Sequence, residues 1–130
     1  MKTVMKTLTN GEIYQMAFDL NRSFTEENQI YFPAAANFCI QKNKATLVEI
    51  AETIEENRVN IVKHYGVIEE DGNFKVEGEK NIEAANAELI ELLNIPHDIK
   101  ILTFSIETLG DVNLTPQQMQ SILFMIEDVE

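Results

Sequence analysis

Few residues of this chain have the types and spacing that chemistry demands. Cys39 stands between Phe38 and Ile40 with no histidine near it in sequence. A free thiol in such an apolar run behaves as a small buried hydrophobe. The two histidines, His64 and His97, are far apart and make no i, i+4 pair of the zinc-protease kind. His64 shares a helix face with Glu56 and Asn60, a weak metal arrangement, but the expectation is a solvated or helix-end histidine, helped by the macrodipole at Tyr65-Gly66. Glu52, Glu55 and Glu56 invite comparison with carboxylate-bridged metal bundles. Those combine glutamates with a Glu-x-x-His step on facing helices, and this chain has no such step. The expectation is no catalytic residue, no cofactor and no metal.

A second acidic cluster lies in the stretch KHYGVIEEDGNFKVEGEKN, from Lys63 to Asn81. Glu69, Glu70, Asp71 and Asn73 superficially suggest a calcium loop. That motif places glycine at its sixth position and closes with a glutamate at its twelfth. With Asp71 as first ligand, Lys75 falls at position five and Val76 at position six, so the match fails. Asp-Gly between short apolar stretches instead predicts a two-strand tip, Val67-Ile68 pairing with Phe74-Lys75-Val76. The carboxylates keep such a tip soluble and offer a contact surface to a protein partner. The five glycines form no phosphate-binding fingerprint.

These residues must be positioned by elements that the spacing of apolar residues discloses. Lys2 to Leu8 is compatible with a short strand. Thr9-Asn10-Gly11-Glu12 is a capping box, and Ile13, Met16, Ala17 and Leu20 recur at helical spacing behind it, predicting a helix over about 10–21. Residues 24–28 read as a loop or a single turn. Pro33 suits a first helical turn, and the apolar positions Ile40, Leu47, Ile50, Ile54, Ile61 and Tyr65 make a narrow stripe reaching Tyr65. Gln41-Lys42-Asn43-Lys44 leaves one kinked helix or two helices open. Glu49, Glu52, Glu55, Glu56 and Lys63 form the opposite, solvated face. Gly66 is expected to cap the helix in the left-handed conformation.

A further helix is predicted over about 79–94, with Ile82, Ala85, Leu89, Leu92 and Leu93 on one side. Its simplest packing is antiparallel against the long helix, stripe against stripe. Ile99 to Ile106 is rich in β-branched and aromatic residues and reads as a strand. Gly110-Asp111 marks a turn. Thr115-Pro116-Gln117-Gln118 is a second capping box, predicting a last helix from Pro116 to Asp128 that buries Met119, Ile122, Leu123 and Ile126. The expected fold is α+β and predominantly α-helical: an antiparallel helical hairpin with a small β tip and one or two short strands, in a single domain over 1–130.

Composition narrows the function classes. At 45% apolar and 25% charged residues the chain belongs with folded globular proteins. One cysteine excludes an internal disulfide, and the N-terminus has no uninterrupted apolar run of the signal-peptide kind. No window approaches the roughly 18 apolar residues of a membrane span. A net charge of −12, from 22 acids and 10 bases, repels phosphate backbones and anionic lipid surfaces. A basic protein partner remains allowed.

The order of elements resembles a family of small phage and prophage proteins of unknown function. The resemblance spans about the C-terminal two thirds. It rests on the long helix ending in Tyr65-Gly66, the turn Glu70-Asp71-Gly72-Asn73, the run Ala84-Ala85-Asn86-Ala87-Glu88-Leu89-Ile90-Glu91-Leu92-Leu93, the apolar strand and a closing helix opened by Leu114-Thr115-Pro116. The segment before Pro33 departs from it. The resemblance implies a phage setting near virion morphogenesis and carries over no catalytic residue.

The expected function is therefore a non-enzymatic structural or assembly accessory working through protein–protein contacts, in host cytoplasm or virion. Homo-oligomerisation is open, and neither nucleic acid nor membrane is an expected partner. The alternative is an acidic inhibitor that mimics nucleic acid toward a host protein. The contact residues expected in either case are Glu49, Glu52, Glu56, Glu69, Glu70 and Asp71.

Overall fold

Threonine hydroxyls start two of the helices, and both do so by the expected chemistry. In the computed structural model, which describes residues 1–127, Thr9 precedes helix α1 (Asn10–Ser23). Its Oγ1 accepts the Glu12 N–H at 3.2 Å, while the Glu12 carboxylate accepts the Thr9 N–H at 3.1 Å. Thr115 and Gln118 repeat the arrangement at 3.1 and 3.0 Å ahead of α4 (Pro116–Ile122). The Gln118 amide goes further: its Nε2 donates to the Ser23 carbonyl at 3.1 Å, tying α4 to the end of α1. Each box satisfies N–H groups that a helix start leaves without partners.

From its start the chain runs through strand β1 (Lys2–Thr9), α1, a single 3-10 turn (Glu26–Asn28) and the long α2 (Ala34–Tyr65). Then come β2 (Gly66–Ile68), β3 (Phe74–Val76), α3 (Glu79–Leu93) and β4 (Pro96–Thr103), a 3-10 turn (Ile106–Leu109), and α4 followed by a 3-10 turn (Leu123–Met125). The fold is mixed α/β and mainly helical, with two small antiparallel sheets among the described residues. One is the expected tip, β2 against β3. The other pairs β1 with β4 over their full length, Lys2 opposite Thr103 and Thr9 opposite Pro96.

The core lies under that second sheet. Ile99 and Ile101 of β4 and the following Phe104 pack against Ile13, Ala17 and Leu20 of α1 and against Ala36, Cys39, Ile40 and Leu47 of α2, with Ile122 and Met125 closing one end. Burying a large aliphatic side chain is worth roughly 1.5–3 kcal/mol, so these positions dominate stability. The expectation that the α2 and α3 stripes bury each other needs correction. From residue 55 through 98 the sole buried residue is Ala85, whereas Ile82 and Leu93 are exposed and Leu89 and Leu92 only half-buried. The first half of α2 packs against α1 and β4 instead, and that leaves the far end of α2 to α3 and the β2–β3 tip.

Other boundaries also moved. α2 is uninterrupted through Gln41–Lys44. β4 begins at Pro96 and ends at Thr103, with Ile106 opening a 3-10 turn rather than extending the strand. α4 stops at Ile122, because Ile126 turns extended and bridges Phe104 in parallel. That bridge leaves Leu123 48% exposed and buries Met125 in its place. The expected end at Asp128 lies outside the described residues.

Gly66 does not cap α2 in the left-handed region. Its φ is −99° and ψ 169°, ordinary extended backbone. Glycine is needed there for space: a Cβ would stand 2.5 Å from the Val62 carbonyl oxygen and 3.2 Å from that of Lys75.

Candidate functional site

Two surfaces deserve consideration as sites, and each is built by a helix end meeting a strand. The first surrounds His97, the second residue of β4. Its partner is Asn10, the first residue of α1, buried although polar. Asn10 Nδ2 donates to the Leu92 carbonyl at 2.8 Å, which turns its Oδ1 toward His97 Nε2 at 2.6 Å. A carbonyl oxygen cannot donate, so His97 Nε2 carries the hydrogen of this bond. The Asn10 N–H also donates to the Ile95 carbonyl at 2.9 Å. One asparagine thus fastens the end of α3 to the start of α1. The adjoining cleft of about 350 Å³ is walled by Ile50, Ile54, Leu92 and Ile95, with Glu49, Thr53 and Asn57 at its polar side.

The second surface covers the distal half of α2, the β2–β3 tip and α3. The tip turns at Glu69–Gly72: Gly72 N–H donates to the Glu69 carbonyl at 2.9 Å and Glu69 N–H to that of Asn73 at 2.8 Å. Gly72 has φ +85°, where a side chain would be strained, and Asp71 Oδ1 accepts the Asn73 N–H at 3.0 Å. Exposed beside this acidic turn are Val67 and Ile68, and along α3 and beyond it Ile82, Ile90, Leu93 and Ile95. Tyr65, at the end of α2, has its hydroxyl pushed above its ordinary value by the Glu88 carboxylate of α3.

All six residues expected at a partner contact are exposed, but they fall in two places. Glu49, Glu52 and Glu56 lie along α2; Glu69, Glu70 and Asp71 crown the tip. None forms an ion pair among the described residues. Glu55 does, and it departs from the solvated face expected of it. Arg58 donates to it through Nε at 2.9 Å, and the Tyr14 hydroxyl of α1 donates at 3.2 Å. The Arg58 hydrogen bond holds the Glu55 carboxyl below its usual range.

His64 is exposed at the end of α2, its ring edge-on to Tyr65 with centroids 4.7 Å apart. Cys39 is fully buried, and burial pushes its thiol above the ordinary value. Among the described residues, no three of His, Cys, Asp and Glu are grouped to hold a metal ion. No helix there is long and apolar enough to cross a membrane.

Sequence reasoning missed two residues. Asn10 was subsumed in a capping box. Asn43 read as part of a helix break, whereas it is buried in mid-helix with its amide on the backbone of Leu102. In both cases a polar side chain on the apolar face of its helix was the available signal. The chain matches no family model, no curated protein and no solved structure.

Proposed function

We propose that this chain is a non-enzymatic phage or prophage protein that acts through protein–protein contacts, as a structural or assembly accessory in the host cytoplasm or virion. In this reading α2 and α3 form an antiparallel helical hairpin with β2–β3 at its tip, fastened at its base by Asn10. One observation carries the contact reading: across residues 55–98 the chain buries a single side chain, while Ile68 is 70% exposed and Ile90 60%. Such an arm contributes little to the core, and its apolar side chains suit a partner's surface. The phage setting comes from the resemblance in element order. Fractionation of infected cells tests it. The tagged protein should co-purify with virion or assembly proteins; a diffuse monomer without phage partners would count against the proposal.

A second reading is favoured by the charge of the same arm. Between Gly66 and Ile95 there are eight carboxylates and two lysines, a net −6 that is half of the chain's −12. An acidic arm of this kind mimics a phosphate backbone toward a basic host protein. That complex would weaken steeply with salt and with charge reversal at Glu69, Glu70 and Asp71 of the tip, together with Glu49, Glu52 and Glu56 of the adjoining helix. Binding indifferent to both would exclude it.

A further inference from the structure

The two edges of the β1–β4 sheet are treated differently. In an antiparallel ladder, alternate residues point N–H and C=O at the neighbouring strand, and the others point away. The phase here follows from the pairing of Asn10 N–H with the Ile95 carbonyl and from the outward use of Leu102. Lys2, Val4, Lys6 and Leu8 bond to Thr103, Ile101, Ile99 and His97; Thr3, Met5 and Thr7 point outward. The outer edge of β4 is closed at its C-terminal end, at Leu102 and beyond it at Phe104, and open at Asp98 and Lys100. Asn43 engages both backbone groups of Leu102, and Phe104 bonds to Met125 and Glu127. Along β1, the N–H and C=O groups of Thr3, Met5 and Thr7 have no partner among the described residues.

We infer that β1 is a dimerisation strand, its open edge pairing antiparallel with that of a second copy in a two-fold register centred on Met5. An eight-residue edge left open is a template for another strand. Two features name a second copy as the occupant. The register is self-complementary: Thr3 meets Thr7, Met5 meets Met5, and each pair exchanges both of its outward hydrogen bonds. It also sets Lys2 opposite Leu8 and Lys6 opposite Val4, so no lysine faces a lysine. The other feature is charge. Residues 1–11 hold two lysines and no carboxylate, so copies carrying −12 each meet at a basic strand. Met5, 59% exposed on the solvent face, packs against its symmetry mate. The four-stranded order is β4-β1-β1-β4. This surface is separate from the arm, so it stands whether or not the arm finds a phage partner.

Sedimentation of the full chain tests it, together with a cross-link. The wild-type protein should sediment at twice its 14.8 kDa chain mass. Met5→Pro removes an N–H that the β1–β4 ladder does not use, so it should yield a folded monomer by circular dichroism. A directly opposed, hydrogen-bonded pair has its Cα atoms about 5.5 Å apart, inside the disulfide range of about 4.4–6.8 Å. Met5→Cys should therefore cross-link to itself under mild oxidation. Thr3→Cys alone should not, whereas a mixture of Thr3→Cys and Thr7→Cys chains should. Wild type, with its lone thiol buried, is the background. A wild-type monomer at high concentration, or a dimer in which Met5→Cys does not cross-link, overturns the inference. Ile68→Asp should leave the dimer intact.

Discussion

Asn43 and Leu102 are joined twice: Asn43 Nδ2 donates to the Leu102 carbonyl at 2.8 Å, and the Leu102 N–H donates to Asn43 Oδ1 at 2.9 Å. A side-chain amide has the donor–acceptor spacing of a peptide group, so Asn43 acts as one residue of a missing strand. It closes the edge of β4 at Leu102 and docks α2 on the sheet. Asn43 is 1% exposed, so these two bonds are shielded from solvent.

Replacing Asn43 with leucine keeps much of the volume and deletes both bonds. Buried groups left without partners cost about 1–3 kcal/mol apiece. Asn43→Leu is therefore predicted to destabilise by about 2–4 kcal/mol in urea unfolding. A change below about 0.5 kcal/mol, the scale of surface substitutions, would show that the amide merely fills space.

Gly66→Ala separates two explanations of one glycine. Were conformation the issue, alanine would be harmless at φ −99°. The Cβ instead meets backbone oxygens of Val62 and Lys75, which cannot swing away. Overpacking of this kind costs about 1–3 kcal/mol. The loss should appear as faster amide exchange in the β2–β3 tip and the last turn of α2, with the β1–β4 sheet unaffected.

The buried Cys39 thiol links stability to alkaline pH. Its folded value is raised by desolvation, so the folded state holds the proton more tightly than the unfolded state. The stability it contributes is fully present below the unfolded thiol's value of about 8.5, and it is lost as pH rises through the raised folded value. Cys39→Ala should flatten this alkaline slope in urea titrations. In wild type, maleimide should label the thiol at the rate of global unfolding.

Asn10 predicts both a tautomer and a tether. Nitrogen-15 shifts should find neutral His97 protonated at Nε2. Asn10→Ala deletes a donor to Leu92, and a loss of about 1.4 kcal/mol there corresponds to about tenfold faster exchange in the last turn of α3. An Nδ1–H tautomer would contradict the assigned amide orientation.

The sequence was legible where structure is set by neighbours in the chain. Both capping boxes, the Asp71-Gly72 turn and the start of α2 after Pro33 depend on groups within a few residues. What it withheld was set at long range. Asn43 and Leu102 are 59 positions apart, and nothing local at Lys2–Thr9 names Pro96–Thr103 as its partner. Without that pairing the apolar stripes of α2 and α3 match each other, which puts the core too far along α2. The acids proposed as contacts were legible as exposed residues; the exposure of the apolar side chains beside them follows from a core that lies elsewhere.

The most direct test of the contact reading compares wild type with an Ile68→Asp, Ile90→Asp double variant in infected-cell fractions. Both sites are exposed, so circular dichroism and unfolding midpoint should match wild type. The account predicts that wild type sediments with virions or assembly intermediates and that the variant stays in the soluble fraction. A variant that sediments as wild type does, or a wild type that never leaves the soluble fraction, would contradict it.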